Sequence, residues 1–253
     1  MAKTKPFTII HEDSSIIVVN KASGIAVGGE RWDEDAPRLD ILLKNELVLR
    51  EEKNSEAELF TVHRIDKDTS GLVIFAKDRE THKTLSLAFE SRQVEKIYTA
   101  VVHGRPFWTG GKTSCELPLI PDGSKKHLTI IDKFHGKPSH TDFTLLFSAG
   151  NYSVVEARPL TGRTHQIRVH LAALSCPIVC DTLYGRHVRS GTEKGVYLSL
   201  FKRNWKGDEH EERPLLARLG LHAARLVLNG TEYKAPLSKD MASLINQMKK
   251  YGN

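Results

Sequence analysis

The sequence predicts an α+β fold. Short runs of β-branched and other apolar residues recur along the chain between turn residues, and stretches with apolar residues at helical spacing separate them. With 253 residues, of which 40% are hydrophobic and 27% charged, the chain can bury an ordinary core without disulfides or metal. It has no internal repeat and no linker that divides it. We therefore expect a single domain over residues 1–253. Residues 186–213, which are rich in both acidic and basic side chains, are expected to form an insertion in it.

The first third of the chain predicts strands, then a helix, then a buried strand. "FTIIHEDSSIIVVNKASGIAV", residues 7–27, has two β-branched runs around a polar turn and a third run after Gly24. "RLDILLKNELVL" places leucines at helical spacing. "GLVIFA" is a continuous apolar run typical of a buried strand, and Asp78 can cap a helix that extends to about Arg92.

The remainder predicts further strands and two helices. "KIYTAVVHG" reads as a strand, and "HTDFTLLFSAGNYSVVEARPL" as two strands joined by "SAGN" in a hairpin. Thr164 is a natural N-cap for a helix in "HQIRVHLAAL", which has an apolar face and, at His165 and Arg168, a face predicted to be basic. The chain closes with a strand-like "LGLHAARLVLNG" and a C-terminal helix.

Composition indicates a cytoplasmic protein. No apolar run approaches the roughly 18 residues of a membrane span. The start, "MAKTKPFTII", lacks the long apolar stretch of a signal peptide. The three cysteines, Cys115, Cys176 and Cys180, are odd in number and lack the spacing of a disulfide framework, which fits a reducing compartment. We expect a cytoplasmic monomer with no membrane partner.

Two clusters of basic residues indicate what the chain binds. The net charge is +6, and "RPLTGRTHQIRVH", residues 158–170, holds three arginines, two histidines and no acid. The segment 121–140 adds four lysines: Lys125, Lys126, Lys133 and Lys137. A single cluster of this kind is usually a solvated surface. Two of them, one without acids, favour a phosphate-rich ligand.

No motif in the sequence predicts a metal or a nucleotide cofactor. "TGGKTS" lacks the first glycine of a phosphate-binding loop, because Pro106 stands there. Cys176, Cys180 and His187 lack the fourth ligand of a closed zinc site. We therefore predict no metal and no small-molecule cofactor.

The stretch "HRIDKDTSGLVIFAK", residues 63–77, carries the candidate reactive group. Asp66 lies two residues from Arg64 and one from Lys67, and positive charge nearby favours the ionised carboxylate even in a partly desolvated cleft. An ionised aspartate can act as a nucleophile or a base. A surface aspartate paired with its basic neighbours explains the pattern equally well. Arg64, Lys67 and Arg168 could each hold phosphate or pair with Asp66, and spacing alone does not assign these roles.

This stretch resembles the central motif of the RluA-type pseudouridine synthases. The family motif runs His-Arg-Leu-Asp, two variable residues, Thr-Ser-Gly, apolar residues and Phe-Ala-Lys; here Ile65 replaces the leucine. Four further blocks agree in order: "NKASGIAV", "KIYTAVVHG", "PLTGRTHQIRVHLAALSCPIVCDTLYG" and "LHAARLVL". Two departures are notable. Ala22 stands where the family usually has proline, and Cys180, before Asp181, where it usually has glycine.

The resemblance implies a pseudouridine synthase fold, with a mixed, largely antiparallel sheet, flanking helices and a central basic cleft. It implies that Asp66 is the catalytic aspartate in the isomerisation of uridine to pseudouridine. Tyr98 would stack on the flipped base and could help remove the proton from carbon 5. Arg168 would pair with Asp66, with Arg163 as the weaker candidate, and Arg64 would lie beside the flipped base.

The implied partner is structured RNA, either ribosomal or transfer RNA. Flipping a base out of a stack costs a few kcal/mol, which contacts to the RNA backbone must offset. No separate N-terminal RNA-binding domain is expected, because the residues before the motif already read as part of the core. The candidate RNA-binding residues are Arg64, Lys67, Arg163, His165, Lys125 and Lys126.

Two other functions remain open from the sequence. A non-catalytic RNA-binding protein could use the same basic residues, in which case Arg168→Ala weakens binding while Asp66→Ala changes no RNA modification. A hydrolase could use Asp66 to release the base, in which case free uracil is the product. The RNA-uridine isomerase ranks first, because the ordered blocks span most of the chain.

Overall fold

The computed structural model describes residues 5–29, 36–50, 58–124, 128–185, 195–208 and 211–252. Among those residues the strands are β1 (Phe7–Glu12), β2 (Ile16–Lys21), β3 (Phe60–Thr61), β4 (Ser70–Ala76), β5 (Glu95–His103), β6 (Lys112–Cys115), β7 (Leu119–Pro121), β8 (Thr129–Ile131), β9 (Thr141–Ala149), β10 (Tyr152–Pro159), β11 (Leu221–Leu228) and β12 (Thr231–Lys234). The helices are α1 (Leu39–Arg50), α2 (Arg79–Glu90), α3 (Gln166–Ala173) and α4 (Lys239–Tyr251). A mostly antiparallel sheet with four helices over these ranges confirms the α+β prediction.

The chain forms two compact units. The first comprises Met1–Lys96 and Ala223–Pro236, and the second Ile97–His222 and Leu237–Asn253. The prediction of a single domain with a central cleft stays a prediction. None of the helices in the described ranges is long and apolar enough to cross a membrane.

In the first unit, a core of apolar side chains forms where the sequence predicts it. Strand β4 lies between β2 and β11 in the sheet and all of its residues are buried, as the continuous "GLVIFA" run predicts. Helix α1 buries Leu39, Leu43 and Leu47, which are spaced one helical turn apart. Helix α2 starts at the predicted cap, where the Asp78 carboxylate accepts a hydrogen bond from the Thr81 amide at 2.8 Å.

In the second unit, the strands follow the order β5-β10-β9-β6, and β7 and β8 form a separate antiparallel pair. Strands β9 and β10 form the predicted hairpin. Helix α4 contributes Met241, Leu244 and Met248 to the core. The described part of the predicted insertion contributes Val196 and Phe201 to the same core. The insertion is therefore not entirely a solvent-exposed loop.

Three local predictions are wrong. The run after Gly24, predicted as a strand, is a loop with one β-bridge, between Ala26 and Arg38. The Ala26 carbonyl accepts its hydrogen bond from the Leu39 amide at the start of α1 instead of from a strand. The N-cap of helix α3 is His165, in the left-handed conformation, rather than the predicted Thr164, so the helix begins at Gln166. Its predicted basic face is absent, because Gln166 through Leu171 are all buried.

Candidate active site

The candidate catalytic residue Asp66 lies in a loop that leads into β4. Ile65 is buried and anchors the loop, whereas Asp66 is partly exposed. The Thr69 amide donates a hydrogen bond of 3.1 Å to the Asp66 carbonyl and closes a tight turn. Arg64 is exposed and Lys67 is partly exposed on the same loop. The structure thus holds these three predicted site residues together on one short segment of the first unit.

The loop backbone is held by a buried lysine that the sequence reading did not single out. Lys21, at the end of β2, is 1% exposed. Its Nζ donates hydrogen bonds to the carbonyl oxygens of Ala22 at 3.0 Å, Ile25 at 2.7 Å and Lys67 at 2.9 Å. An ammonium group has three protons to donate, and burying it is tolerable only when such acceptors surround it. Lys21 therefore clamps the residue next to Asp66 to the loop that follows β2.

Backbone and side-chain bonds from that second loop complete the clamp. The Gly24 amide donates to the Lys67 carbonyl at 2.9 Å, and the Ser23 hydroxyl donates to the Asp68 carbonyl at 2.7 Å. The Ala22 amide donates to the Pro6 carbonyl at 2.9 Å. Proline has no amide proton, so the departure at Ala22 adds a backbone hydrogen bond that the usual proline could not make.

His63, at the start of the motif, is a structural residue. Its ring stacks on Phe89 of α2, with 4.4 Å between ring centroids and 15° between planes. Its Nε2 accepts a hydrogen bond of 3.1 Å from the Ile74 amide in β4. Burial, and the positive charge of Lys96, lower the pKa of His63 to about 3. The imidazole is therefore neutral near pH 7, as an acceptor at Nε2 requires.

Gly71 explains the glycine of the "TSG" turn. Its φ is +117°, and a Cβ there would lie 2.3 Å from the Ala223 carbonyl oxygen in β11. Side chains do not fit at such distances, and L-residues rarely adopt this φ. A glycine is required for β4 to approach β11 just after the Asp66 turn.

In the second unit, Arg168 forms a buried ion pair with Asp181. The Arg168 Nε and Nη2 atoms donate to the two carboxylate oxygens of Asp181, each at 2.8 Å, and the two side chains are 4% and 0% exposed. Burial alone would raise the pKa of Asp181, but the hydrogen bonds and charge of Arg168, together with the amides of Leu183 and Tyr184, lower it overall. This two-bond geometry fixes the plane and direction of the guanidinium.

Tyr184 connects Arg168 to His165. The Arg168 guanidinium lies 5.2 Å from the centroid of the Tyr184 ring, and the Tyr184 hydroxyl lies 2.9 Å from His165 Nδ1. The same hydroxyl accepts a hydrogen bond of 2.8 Å from the Thr129 amide. Burial raises the pKa of Tyr184, so the hydroxyl stays protonated. His165 is thus held at the start of α3 despite its left-handed backbone.

Cys180, the second departure from the family pattern, has a left-handed backbone with a φ of +57°. This conformation favours glycine, which accounts for the residue that the family usually has. The side chain is accommodated because its thiol is buried and donates a weak bond of 3.7 Å to the Leu216 carbonyl. Burial raises the pKa of the Cys180 thiol to about 11, so it is an unreactive packing group.

The other predicted site residues that the structure describes belong to the second unit. Tyr98 lies on β5 of the second unit, partly buried against the core. Arg163 is partly exposed, and its Nε donates to the Pro138 carbonyl at 3.1 Å. Lys125 and Lys126 fall outside the described residues. Among the described residues, no group of three or more His, Cys, Asp or Glu is arranged to hold a metal ion.

The sequence reading missed Lys21, Asp181 and Tyr184 as site residues. All three lie inside blocks that were quoted for the resemblance, "NKASGIAV" and "CDTLYG". The one sequence feature that could have identified them is a charged or aromatic side chain at the end of an apolar run. Spacing alone does not distinguish such a side chain from an ordinary surface residue.

Comparison with known proteins decides the family. The family model described as RNA pseudouridylate synthase matches residues 15–173. The chain belongs to this family. The match covers the Asp66 loop, Tyr98 and Arg168, and it confirms the resemblance read from the motifs.

Relatives of this RNA pseudouridylate synthase family member carry consistent names. Ribosomal large subunit pseudouridine synthase D of Borreliella burgdorferi is 38% identical over 184 residues, which is 72% of this chain and 55% of that protein. The synthase D of Haemophilus influenzae is 31% identical over 254 residues, 98% of this chain and 72% of that protein. The chain thus spans little more than half the length of the first of these relatives.

Solved structures of the family share the fold. Human RNA Pseudouridylate Synthase Domain Containing 1 has a TM-score of 0.69 and 25% identity, over 94% of this chain and 86% of that one. Human RNA Pseudouridylate Synthase Domain Containing 4 has a TM-score of 0.68 at 23% identity, over 95% of this chain and 92% of that one. These likenesses confirm the predicted pseudouridine synthase fold.

Proposed function

We propose that the chain is an RNA pseudouridine synthase in which Asp66 is the catalytic carboxylate. The observation that carries the proposal is the clamp on the Asp66 loop. Lys21 and Gly24 each donate a hydrogen bond to the Lys67 carbonyl and Ser23 donates one to the Asp68 carbonyl, while the Asp66 side chain stays partly exposed. A reactive group needs this kind of pre-organised backbone, because small displacements cost large factors in rate.

The proposed reaction is an isomerisation that balances within the nucleoside. Asp66 attacks the nucleoside or removes a ribose proton, and the bond between N1 of uracil and the sugar breaks. The uracil turns in the pocket and bonds to the sugar through carbon 5, which releases Asp66 or is followed by return of the ribose proton. The proton on carbon 5 leaves for solvent, and N1 takes up a proton in its place. No atom or electron is gained or lost overall, so the chemistry requires no co-reactant.

The remaining residues have supporting roles in this proposal. Tyr98 stacks on the flipped base and could help remove the carbon 5 proton. The family resemblance assigns Arg168 the role of pairing with the catalytic aspartate, and the ion pair with Asp181 fixes the direction of its guanidinium. Arg64, which is exposed on the Asp66 loop, lies beside the flipped base. Lys67, Arg163 and His165 contact the RNA backbone.

Release of tritium from RNA labelled at carbon 5 of uracil tests the function. We expect the wild-type chain to release tritium and Asp66→Asn to lose at least about 100-fold in rate, as expected for a lost catalytic carboxylate. Asp68→Asn is the matched control, since Asp68 lies in the same loop and is exposed. Equal loss in both variants, or undiminished release by Asp66→Asn, contradicts the role of Asp66. Free uracil as product identifies a hydrolase instead.

Ribosomal RNA is the favoured substrate over transfer RNA. The relatives described above are named as synthases of the ribosomal large subunit. The match to the Haemophilus influenzae protein includes nearly all residues of this chain. Chemical mapping of pseudouridines in ribosomal and transfer RNA, from cells with and without the gene, checks this assignment. Loss of a pseudouridine from transfer RNA alone contradicts it.

A further inference from the structure

A turn in the second unit presents an aromatic ring to solvent among positive charges. The turn comprises residues 132–137, "DKFHGK", and follows β8. Phe134 is 92% exposed, and the side chains of Lys133, His135 and Lys137 are exposed around it in the sequence. Single exposed apolar residues are common, but Phe134 differs from Phe107 because Lys133 and Lys137 flank it, so the turn offers a ligand both a π-face and positive charge.

The backbone of the 132–137 turn is fixed from within by Asp132. Its Oδ1 accepts hydrogen bonds from the Phe134 and His135 amides at 2.8 and 2.9 Å, and its carbonyl accepts from the Gly136 amide at 3.0 Å. The amides of His135 and Phe134 lower the pKa of Asp132. Asp132 Oδ2 also lies 3.3 Å from His135 Nδ1, so the acid of the turn bonds both to the backbone and to the His135 ring and helps to order the turn.

The turn is also anchored to the chain around β7. The Asp132 amide donates to the Pro118 carbonyl at 3.1 Å, and Lys137 and Leu119 exchange amide-to-carbonyl bonds of 2.8 and 3.0 Å. A Cβ on Gly136 would lie 2.3 Å from the Asp132 carbonyl oxygen, so the backbone packs tightly there. Phe134 is therefore presented on a pre-ordered support, and a ligand that binds it does not have to order the loop.

We propose that the 132–137 turn binds an unpaired nucleotide of RNA, with the base stacked on Phe134 and the adjacent phosphates bound by Lys133 and Lys137. The inference rests on the proposed function, because it names where the same RNA contacts the chain outside the Asp66 loop. Every base has a π-face, and stacking on an aromatic side chain combined with lysine contacts to phosphates is how single strands are bound without sequence preference. The turn supplies both parts of this chemistry, an aromatic ring at Phe134 and lysines at Lys133 and Lys137.

Binding of a uridine 12-mer, measured by fluorescence anisotropy on the full chain, tests the stacking contact. We expect Phe134→Ala to weaken binding about 5- to 150-fold, the range that corresponds to one lost base-aromatic stack, and Phe134→Trp to retain it. Phe134→Leu keeps an apolar side chain without a π-face and should behave like Ala. Phe107→Ala is the matched control, because Phe107 is 100% exposed in the same unit and should not affect binding.

An abasic phosphodiester 12-mer separates stacking from charge. Phe134→Ala should leave its affinity unchanged, whereas Lys133→Ala and Lys137→Ala should each reduce the salt slope of binding by about 0.7 for both oligomers. Unchanged uridine binding in Phe134→Ala, or full affinity in Phe134→Leu, overturns the proposal. So does binding to anionic phosphatidylglycerol vesicles that Phe134→Ala abolishes while RNA affinity is unchanged, since the turn would then contact lipid.

These outcomes are independent of catalysis. Tritium release by the wild type with unchanged uridine binding in Phe134→Ala overturns the turn alone. Weakened uridine binding in Phe134→Ala without tritium release by the wild type supports the turn as an RNA contact and contradicts the proposed function.

Discussion

At the scale of single residues, Lys21 determines how well the Asp66 loop is held. Its ammonium is buried and bonds to three carbonyls, one of them 46 residues away in sequence at Lys67. If the charge and its protons are removed, these carbonyls lose their partner in a site that solvent reaches poorly. A buried polar group left without its partner costs about 1–3 kcal/mol, so the loss at several carbonyls is large.

We therefore expect Lys21→Met, which keeps the length of the side chain, to lower the free energy of unfolding by about 3 kcal/mol. Lys44→Met, at an exposed position of helix α1, is the control and should change the free energy of unfolding by no more than about 0.5 kcal/mol. Urea unfolding followed by circular dichroism measures both. Similar values for the two variants would show that the Lys21 bonds add nothing to stability.

The sequence predicts Asp66 as the candidate reactive residue but not its support. Asp66 is identified by local features, the neighbouring charges and the apolar run that follows. Lys21 follows a β-branched run in the way that many surface lysines do, and its burial depends on carbonyls that the fold supplies. Asp181 is similar, because its partner Arg168 lies 13 residues earlier and only the fold brings the two together.

At the scale of elements, Gly71 decides whether β4 can lie beside β11. Two costs add for any side chain at this position, the positive φ and the overlap with the Ala223 backbone. We expect Gly71→Ala to lower the free energy of unfolding by more than about 3 kcal/mol, because neither strand can move without breaking the sheet. Thermal and urea unfolding measure the effect.

Gly230→Ala separates the two costs. Gly230 lies in the same unit with a φ of +78°, and nothing lies within 4 Å of a Cβ placed there. It should therefore show only the conformational penalty, about 1 kcal/mol. Equal destabilisation at both positions would rule out the close approach of β11 as the reason for Gly71.

Elements with a continuous pattern were predictable, and elements decided by distant contacts were not. The buried run of β4 and the leucine spacing of α1 are local signals. The start of α3 depends on Gln166, whose Oε1 accepts from the Thr161 hydroxyl and the Arg163 amide, so the Thr164 cap is not used. Strands β7 and β8 have three residues each, too few to show an alternation.

At the scale of the whole molecule, the fold class and family were predictable, and the division into two units was not. Two of the three unit boundaries fall inside strands, after Lys96 in β5 and before Ala223 in β11, and the third follows Pro236. No glycine- or proline-rich linker marks such a boundary. The resemblance succeeded because it uses the order of blocks along the whole chain, which does not depend on knowing how they pack.

The histidines predict how stability depends on pH. Burial and the charge of Lys96 lower the pKa of His63 to about 3, and burial lowers the pKa values of His103 and His170 below their ordinary value of 6.5. Below pH 6.5 the unfolded chain therefore binds protons that these folded histidines do not. Each such proton lowers the free energy of unfolding by about 1.4 kcal/mol per pH unit, so stability is full above pH 6.5 and falls on acidification.

Urea unfolding between pH 7.5 and 5 tests this dependence in a window above the titration of the carboxylates. His63→Gln can still accept from the Ile74 amide but does not titrate, so it should reduce the slope by about one proton, whatever its own stability. A wild-type stability that is constant across the window, or a His63→Gln slope equal to that of the wild type, would mean that His63 is protonated in the folded chain and does not hold β4 through a neutral imidazole.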